Sequence, residues 1–250
     1  MPGGLGGELA KRELHFIWIV DCSGSMQGQK IESLNFAIRE TIEPMKQVAQ
    51  DNPNAQVMVR AVKFSDGAEW HIAQPTDLQD FRWVDLTADG VTDMGRAMRL
   101  VADALRPENM PERGLPPVLV LLTDGQPTDD FGTAMKVLLD QPWGKRAVRV
   151  GIAIGQDADL DTIQKFSSLK EIKPLVATNA GDLVRFIKWA STVPLKQASN
   201  PIAQASDDEN SGGAFQIPMP VPAPQVASDG SGAPSPGDTG TGTSDDSLVW

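Results

Sequence analysis

A chain of 250 residues with 33 acidic and 22 basic side chains carries a formal charge of −11, and the imbalance is local. All Lys and Arg lie at or before Lys196, whereas residues 197–250 hold seven acidic groups, seven Pro and seven Gly. That composition predicts a disordered acidic tail over 197–250 and, with Gly3, Gly4, Gly6 and Gly7, a flexible start over 1–12, leaving one domain over 13–196. Nothing resembles the basic stripe with interleaved aromatics that nucleic acid requires. A single cysteine excludes an internal disulfide or a paired-cysteine zinc cluster, and the longest apolar runs are strand-sized, so a cytoplasmic protein without membrane contact is expected.

In chain order, Leu14 to Val20 is a short run rich in β-branched and aromatic residues and reads as a buried strand. Ile31, Leu34, Ile38, Ile42, Met45 and Val48 recur at spacings of three and four, which predicts a helix with one apolar face. Gln56 to Phe64 reads as a strand, and Glu69 to Ile72 as its short hairpin partner after the Ser65-Asp66-Gly67 turn. Met94, Ala97, Met98, Val101 and Leu105 mark a second helix ended by Pro107. Val118 to Thr123 and Val148 to Ile154 are strands on either side of a helix over Phe131 to Leu139. Two further helices, Leu160 to Leu169 and Asp182 to Ala190, flank a short strand at Leu175 to Ala177. Such alternation predicts an α/β fold of three layers, a doubly wound, mostly parallel sheet with one antiparallel edge strand.

The first strand stops at Asp21, followed by Ser23 and Ser25. Thr92 precedes a helix within Gly-Val-Thr-Asp-Met-Gly95, and Asp124 follows a strand within Leu-Leu-Thr-Asp-Gly125. In open parallel sheets, ligands gather at the carboxyl ends of the strands, so these five residues are expected on one rim. Two carboxylates and three hydroxyls make an all-oxygen set for a hard divalent cation. Mg²⁺ is the first choice, with Mn²⁺ and Ca²⁺ as alternatives. The same residues each have a plainer reading as caps and turn residues.

Taken together, Asp21-x-Ser23-x-Ser25, Thr92 and Asp124 resemble the metal-ion-dependent adhesion site of von Willebrand factor A domains, and the resemblance covers about residues 13 to 193. It implies the Rossmann-like fold of that family, with Asp21, Ser23, Ser25, Thr92 and Asp124 as metal ligands. It also implies a non-enzymatic module that binds an acidic side chain of a protein partner through the cation. Ile-Trp-Ile-Val-Asp-Cys-Ser-Gly-Ser-Met, Gln-Gly-Gln-Lys-Ile-Glu-Ser-Leu-Asn and Val-Leu-Val-Leu-Leu-Thr-Asp-Gly-Gln-Pro-Thr-Asp-Asp are similar to the compact bacterial TerY-like members. That likeness implies a partner kinase and PP2C-type phosphatase in a stress or tellurite response. An adaptor of an AAA-type ATPase assembly is the alternative setting.

A Mg²⁺-dependent phosphohydrolase with Asp21 as phosphoryl acceptor is a further alternative. Against it, Ser23 stands where a general acid–base carboxylate would help, and no Gly-x-x-x-x-Gly-Lys loop is present. Cys22 is expected to point away from the ligands as a small buried hydrophobe. His15 and His71 lack metal spacing, and Asp93 is expected to start a helix. Met94, Met98, Trp83 and Trp143 are expected in packing roles. Gln27, Gly28 and Gln126 to Asp130 are candidates for a partner-reading rim. Asp245 or Asp246 of the tail is a candidate pseudo-ligand for the cation, against a plainer solubilising role.

Overall fold

The computed structural model describes residues 11–52, 55–169 and 173–198. Six strands form one sheet: β1 (Arg12–Asp21), β2 (Ala55–Ser65), β3 (Gly67–Asp77), β4 (Val118–Thr123), β5 (Val148–Ile154) and β6 (Leu175–Ala177). Their order is β3-β2-β1-β4-β5-β6. Every pairing is parallel except β2 with β3, which is the antiparallel edge the sequence predicts. Chain direction across the sheet reverses at β1: the chain first builds outward to β2 and β3, then returns to lay β4 on the other side. A crevice therefore opens at the carboxyl ends of β1 and β4.

Helices α1 (Gln29–Gln50) and α6 (Ala180–Ala198) cover one face of the sheet; α2 (Met94–Ala104) and α3 (Phe131–Asp140) cover the other. The split follows from the strand period of two. Leu14, Phe16, Trp18 and Val20 of β1 join Leu34, Ile38, Leu183 and Ile187 in one core. Ile17 and Ile19 join Met98, Val101, Phe131 and Leu138 in the other. A central strand buried on both faces has no polar side to show, which is why Phe16 to Val20 is a continuous apolar run. Each large side chain fully buried here contributes ~1.5–3 kcal/mol by leaving water.

Several bounds differ from those expected. β3 extends to Asp77, well past Ile72, because pairing with β2 continues through an irregular register around Ala61. A short helix, α4 (Pro142–Arg146), follows α3 with Pro142 pre-set at its first position. Helix α5 (Leu160–Phe166) stops at Phe166 rather than Leu169. The cause lies on β5: the buried guanidinium of Arg149 donates from Nε to the Phe166 carbonyl at 3.0 Å and from Nη1 to those of Gly144 (2.8 Å) and Ala147 (3.1 Å). α6 begins two residues before Asp182 and runs through Pro194 to Ala198. Of the expected flexible start and acidic tail, residues 1–10 and 199–250, including Asp245 and Asp246, lie outside the described residues. Arg12 already belongs to β1.

Candidate metal centre

Asp21 is the last residue of β1 and is fully buried. Both of its carboxylate oxygens are engaged: Oδ1 accepts from the Ser23 backbone N–H at 2.8 Å and Oδ2 from the Thr123 hydroxyl at 2.6 Å. Burial pushes this carboxyl above its ordinary range. The Ser23 and Thr123 hydrogen bonds oppose that shift, and the charge of Asp124 adds to it. A buried carboxylate held by neutral donors, beside a second carboxylate, is stabilised by any cation that reaches it.

After Asp21 the chain turns tightly through a single 3-10 turn, Gly24–Met26, anchored below by the buried Met26. The turn brings the Ser23 and Ser25 hydroxyls within 3.0 Å of each other, and Ser25 Oγ donates to Asp124 Oδ1 at 2.7 Å. Gly28, with a positive φ of 73°, then lets the backbone swing into α1. From the first turn of that helix Lys30 Nζ reaches Asp124 Oδ2 at 2.5 Å. Asp124 itself stands one residue past the end of β4, next to β1 in the sheet.

Thr92 arrives on the long loop between β3 and α2. Asn35 of α1 pins that loop: its side chain donates to the Leu86 carbonyl and accepts from Leu86 N–H and from Trp83 Nε1. The loop then crosses the end of β1, where Asp89 N–H donates to the Cys22 carbonyl at 2.8 Å and Gly24 N–H to that of Gly90 at 2.9 Å. Thr92 is buried; its N–H donates to the Thr128 hydroxyl at 3.2 Å, and Thr128 N–H returns a bond to the Thr92 carbonyl at 2.9 Å. A Cβ placed on Gly125 would lie 3.6 Å from Thr92 Oγ1 and 3.9 Å from Ser25 Oγ, so both hydroxyls converge on the glycine that follows Asp124.

The donor set suits a hard cation. Among the described residues no three His, Cys, Asp or Glu side chains gather at one point, so a cation held here would draw on hydroxyls beside the two carboxylates. Lys30 and Thr123 are the two contributors that sequence reading passes over. Thr123 carried a signal, as a polar residue closing an apolar strand. Lys30 stands within the family-like stretch after Gly28, where nothing marks it as a partner of Asp124.

Most of the remaining candidates have partners of their own. Cys22 is buried in the α1/α6 core; burial, aided by the charge of Asp21, pushes its thiol up to about 12, so the reading as an inert hydrophobe fits. His15 sits on the amino-terminal half of β1 against Glu13, and His71 bonds the Val84 carbonyl at 2.8 Å with its ring edge-on to Trp83. Met94, Met98 and Trp143 are core residues. Asp93 occupies the N-cap position of α2, as expected, but its side chain makes no capping bond: the carboxylate accepts from Gly67 N–H at 2.9 Å and Thr128 Oγ1 at 3.2 Å, and pairs with Arg96. Asp129 supplies the cap instead, accepting from Gly95 N–H (2.7 Å) and Arg96 N–H (2.8 Å). Asp130 caps α3 through Thr133 N–H. Much of the expected rim between Gln126 and Asp130 therefore braces the loops, while Gln27, Gly28 and Gln126 are exposed.

The model of the von Willebrand factor type A domain matches residues 16–183. A human inter-alpha-trypsin inhibitor heavy chain, H6, is 27% identical over 169 residues, which is 64% of this chain and 13% of that protein. The solved von Willebrand factor type A protein of Catenulispora acidiphila superposes with a TM-score of 0.52 at 18% identity, over 74% of this chain and 43% of its own. Proximal thread matrix protein 1 of the mussel byssus, solved with a zinc-occupied metal-ion-dependent adhesion site, superposes with a TM-score of 0.56 at 15% identity, over 77% and 49%. The chain thus spans a small part of the human protein and under half of these two solved chains.

Proposed function

The chain belongs to the von Willebrand factor type A domain family, and from that membership we propose that Asp21, Ser23, Ser25, Thr92 and Asp124 are its metal-ion-dependent adhesion site. Domains of this family commonly mediate metal-dependent protein–protein interaction through such a site. The observation that carries the reading here is the convergence of the Ser25 and Thr92 hydroxyls beside Asp124, with Ser23 in contact with Ser25. When bound, the cation supplies a Lewis-acidic contact for a partner's Asp or Glu. The all-oxygen donors favour Mg²⁺, with Mn²⁺ and Ca²⁺ as alternatives; the zinc of the mussel protein makes Zn²⁺ a necessary comparison.

The function proposed is adhesion rather than catalysis, with Ser23 and Ser25 as neutral ligands where a phosphohydrolase would need an acid–base group. The setting proposed is a TerY-type kinase and phosphatase system. The residue wording around Asp21, Lys30 and Asp124 supports it. Among the described residues no helix is long and apolar enough to cross a membrane.

Calorimetric titration of the 250-residue chain with Mg²⁺, Mn²⁺, Ca²⁺ and Zn²⁺, paired with capture of partners with and without EDTA, tests the function. Thr92→Ala is expected to weaken cation binding by more than the ~10-fold typical of losing an outer-shell partner, with the fold intact. A partner complex untouched by EDTA and by Thr92→Ala would overturn the reading.

A further inference from the structure

Lys30 introduces a charge that the five ligands do not account for. Its Nζ donates to Asp124 Oδ2 at 2.5 Å, with the Asp124 side chain 1% exposed and that of Lys30 23% exposed. The two oxygens of Asp21 are engaged by neutral donors, a backbone N–H and a hydroxyl. In the hydrogen-bonded cluster, two carboxylates therefore face one ammonium. A divalent cation added to carboxylates alone would give a neutral site, whereas the same cation added beside Lys30 gives a site with one positive charge in excess.

The surroundings make that excess matter. Asp66, Asp89, Asp93 and Asp129 lie on the loops around the centre, each engaged by backbone N–H groups or by Arg96. Their collective field is negative and repels an anionic ligand. A neutral centre inside this acidic rim would offer little to an approaching carboxylate. The position of Lys30 also permits two roles in turn, because its ammonium sits at the end of a flexible stem on a helix that is otherwise fixed against the sheet.

We propose that Lys30 sets the charge of the adhesion site: its ammonium competes with a divalent cation for Asp124 and, once that cation is held, supplies the excess positive charge that draws an acidic ligand. This rests on the metal-site reading above. Lys30 is thus a specificity-determining residue that weakens metal affinity in order to favour an anion as the last ligand. Removing its charge shifts the two affinities in opposite directions, which the loss of a merely structural contact would not do.

The test uses the 250-residue chain, Lys30→Gln, which retains a donor toward Asp124 without the charge, and Lys30→Arg, which retains the charge. Mn²⁺ affinity is measured by electron paramagnetic resonance, and acetate binding to the Mn²⁺-loaded protein by water-proton relaxation. Lys30→Gln is expected to bind Mn²⁺ ~10-fold more tightly and acetate several-fold more weakly, while Lys30→Arg stays near wild type in both. Lys30→Met, which keeps the apolar stem, reads the same two shifts without relying on the glutamine amide. Affinities that move together, or that move in neither respect, overturn the role of Lys30 while leaving the site itself standing. Failure of the wild-type chain to bind Mn²⁺ overturns the metal-site reading, and Lys30 with it.

Discussion

Asp21 shows how a single buried charge is made tolerable. It has no exposed surface, and the Thr123 hydroxyl at 2.6 Å is one of its two protein partners. Thr123→Val keeps the shape and removes the donor, so one carboxylate oxygen loses its bond in the interior. The expected cost is ~1–3 kcal/mol in urea denaturation, together with weaker cation binding by titration calorimetry. His15 presents the converse case. Burial holds its ring below the ordinary value more strongly than Glu13 raises it, with Arg60 adding to the lowering. The unfolded chain takes up a proton as pH falls through about 6.5, whereas the folded one resists. The stabilising effect is therefore complete above that value and lost below it, by at most ~1.4 kcal/mol per pH unit. Melting temperature should fall between pH 7 and pH 5.5, and more shallowly in His15→Leu.

Among the elements, α2 depends on a residue outside it. Asp129 satisfies two of the N–H groups at its start, and the close approach requires a glycine: a Cβ on Gly95 would lie 2.9 Å from the Asp129 carboxylate. Because Thr92 sits two residues before this helix, the same contact steadies a proposed metal ligand. Asp129→Ala is expected to cost about 1 kcal/mol of stability and to weaken cation binding as well. A melting curve and a Mn²⁺ titration of one sample would show both. Five of the six α-helices among the described residues were legible from apolar spacing, but α4 and the helix ends were not. Phe166 ends α5 because Arg149, seventeen residues earlier and on a strand, captures its carbonyl, and no local pattern encodes that capture. The extension of β3 to Asp77 has the same character, since cross-strand pairing with β2 outlasts the run of β-favouring residues.

For the molecule as a whole, the site is a product of topology. β1 and β4 are 97 residues apart at Asp21 and Val118 in chain position yet adjacent in the sheet, and their carboxyl ends define the crevice where the proposed ligands meet. A cation that binds only the folded state couples these segments to global stability. At a free cation concentration about a hundredfold above its dissociation constant, the wild-type chain should gain ~2.7 kcal/mol. Calorimetric scans with and without Mg²⁺ should show the gain in wild type, and Thr92→Ala should lose most of it. A Thr92→Ala protein that is stabilised as much as wild type would place the cation elsewhere.

The periodicities of apolar residues were enough to establish an α/β chain with a central strand buried on both faces, since a period of two or of 3.6 is a local property of the backbone. The five oxygen-bearing ligand candidates were visible for a related reason: Asp21 and Asp124 close apolar strands, Ser23 and Ser25 follow the first at alternate positions, and Thr92 shortly precedes a helix. Thr123 under Asp21, Asp129 at the start of α2 and Lys30 on Asp124 were decided only by the folded chain. Their partners lie 33 to 102 residues away in sequence. Charge balance and hydrogen bonding act through space, so which cation serves which carboxylate is settled by the sheet and its loops.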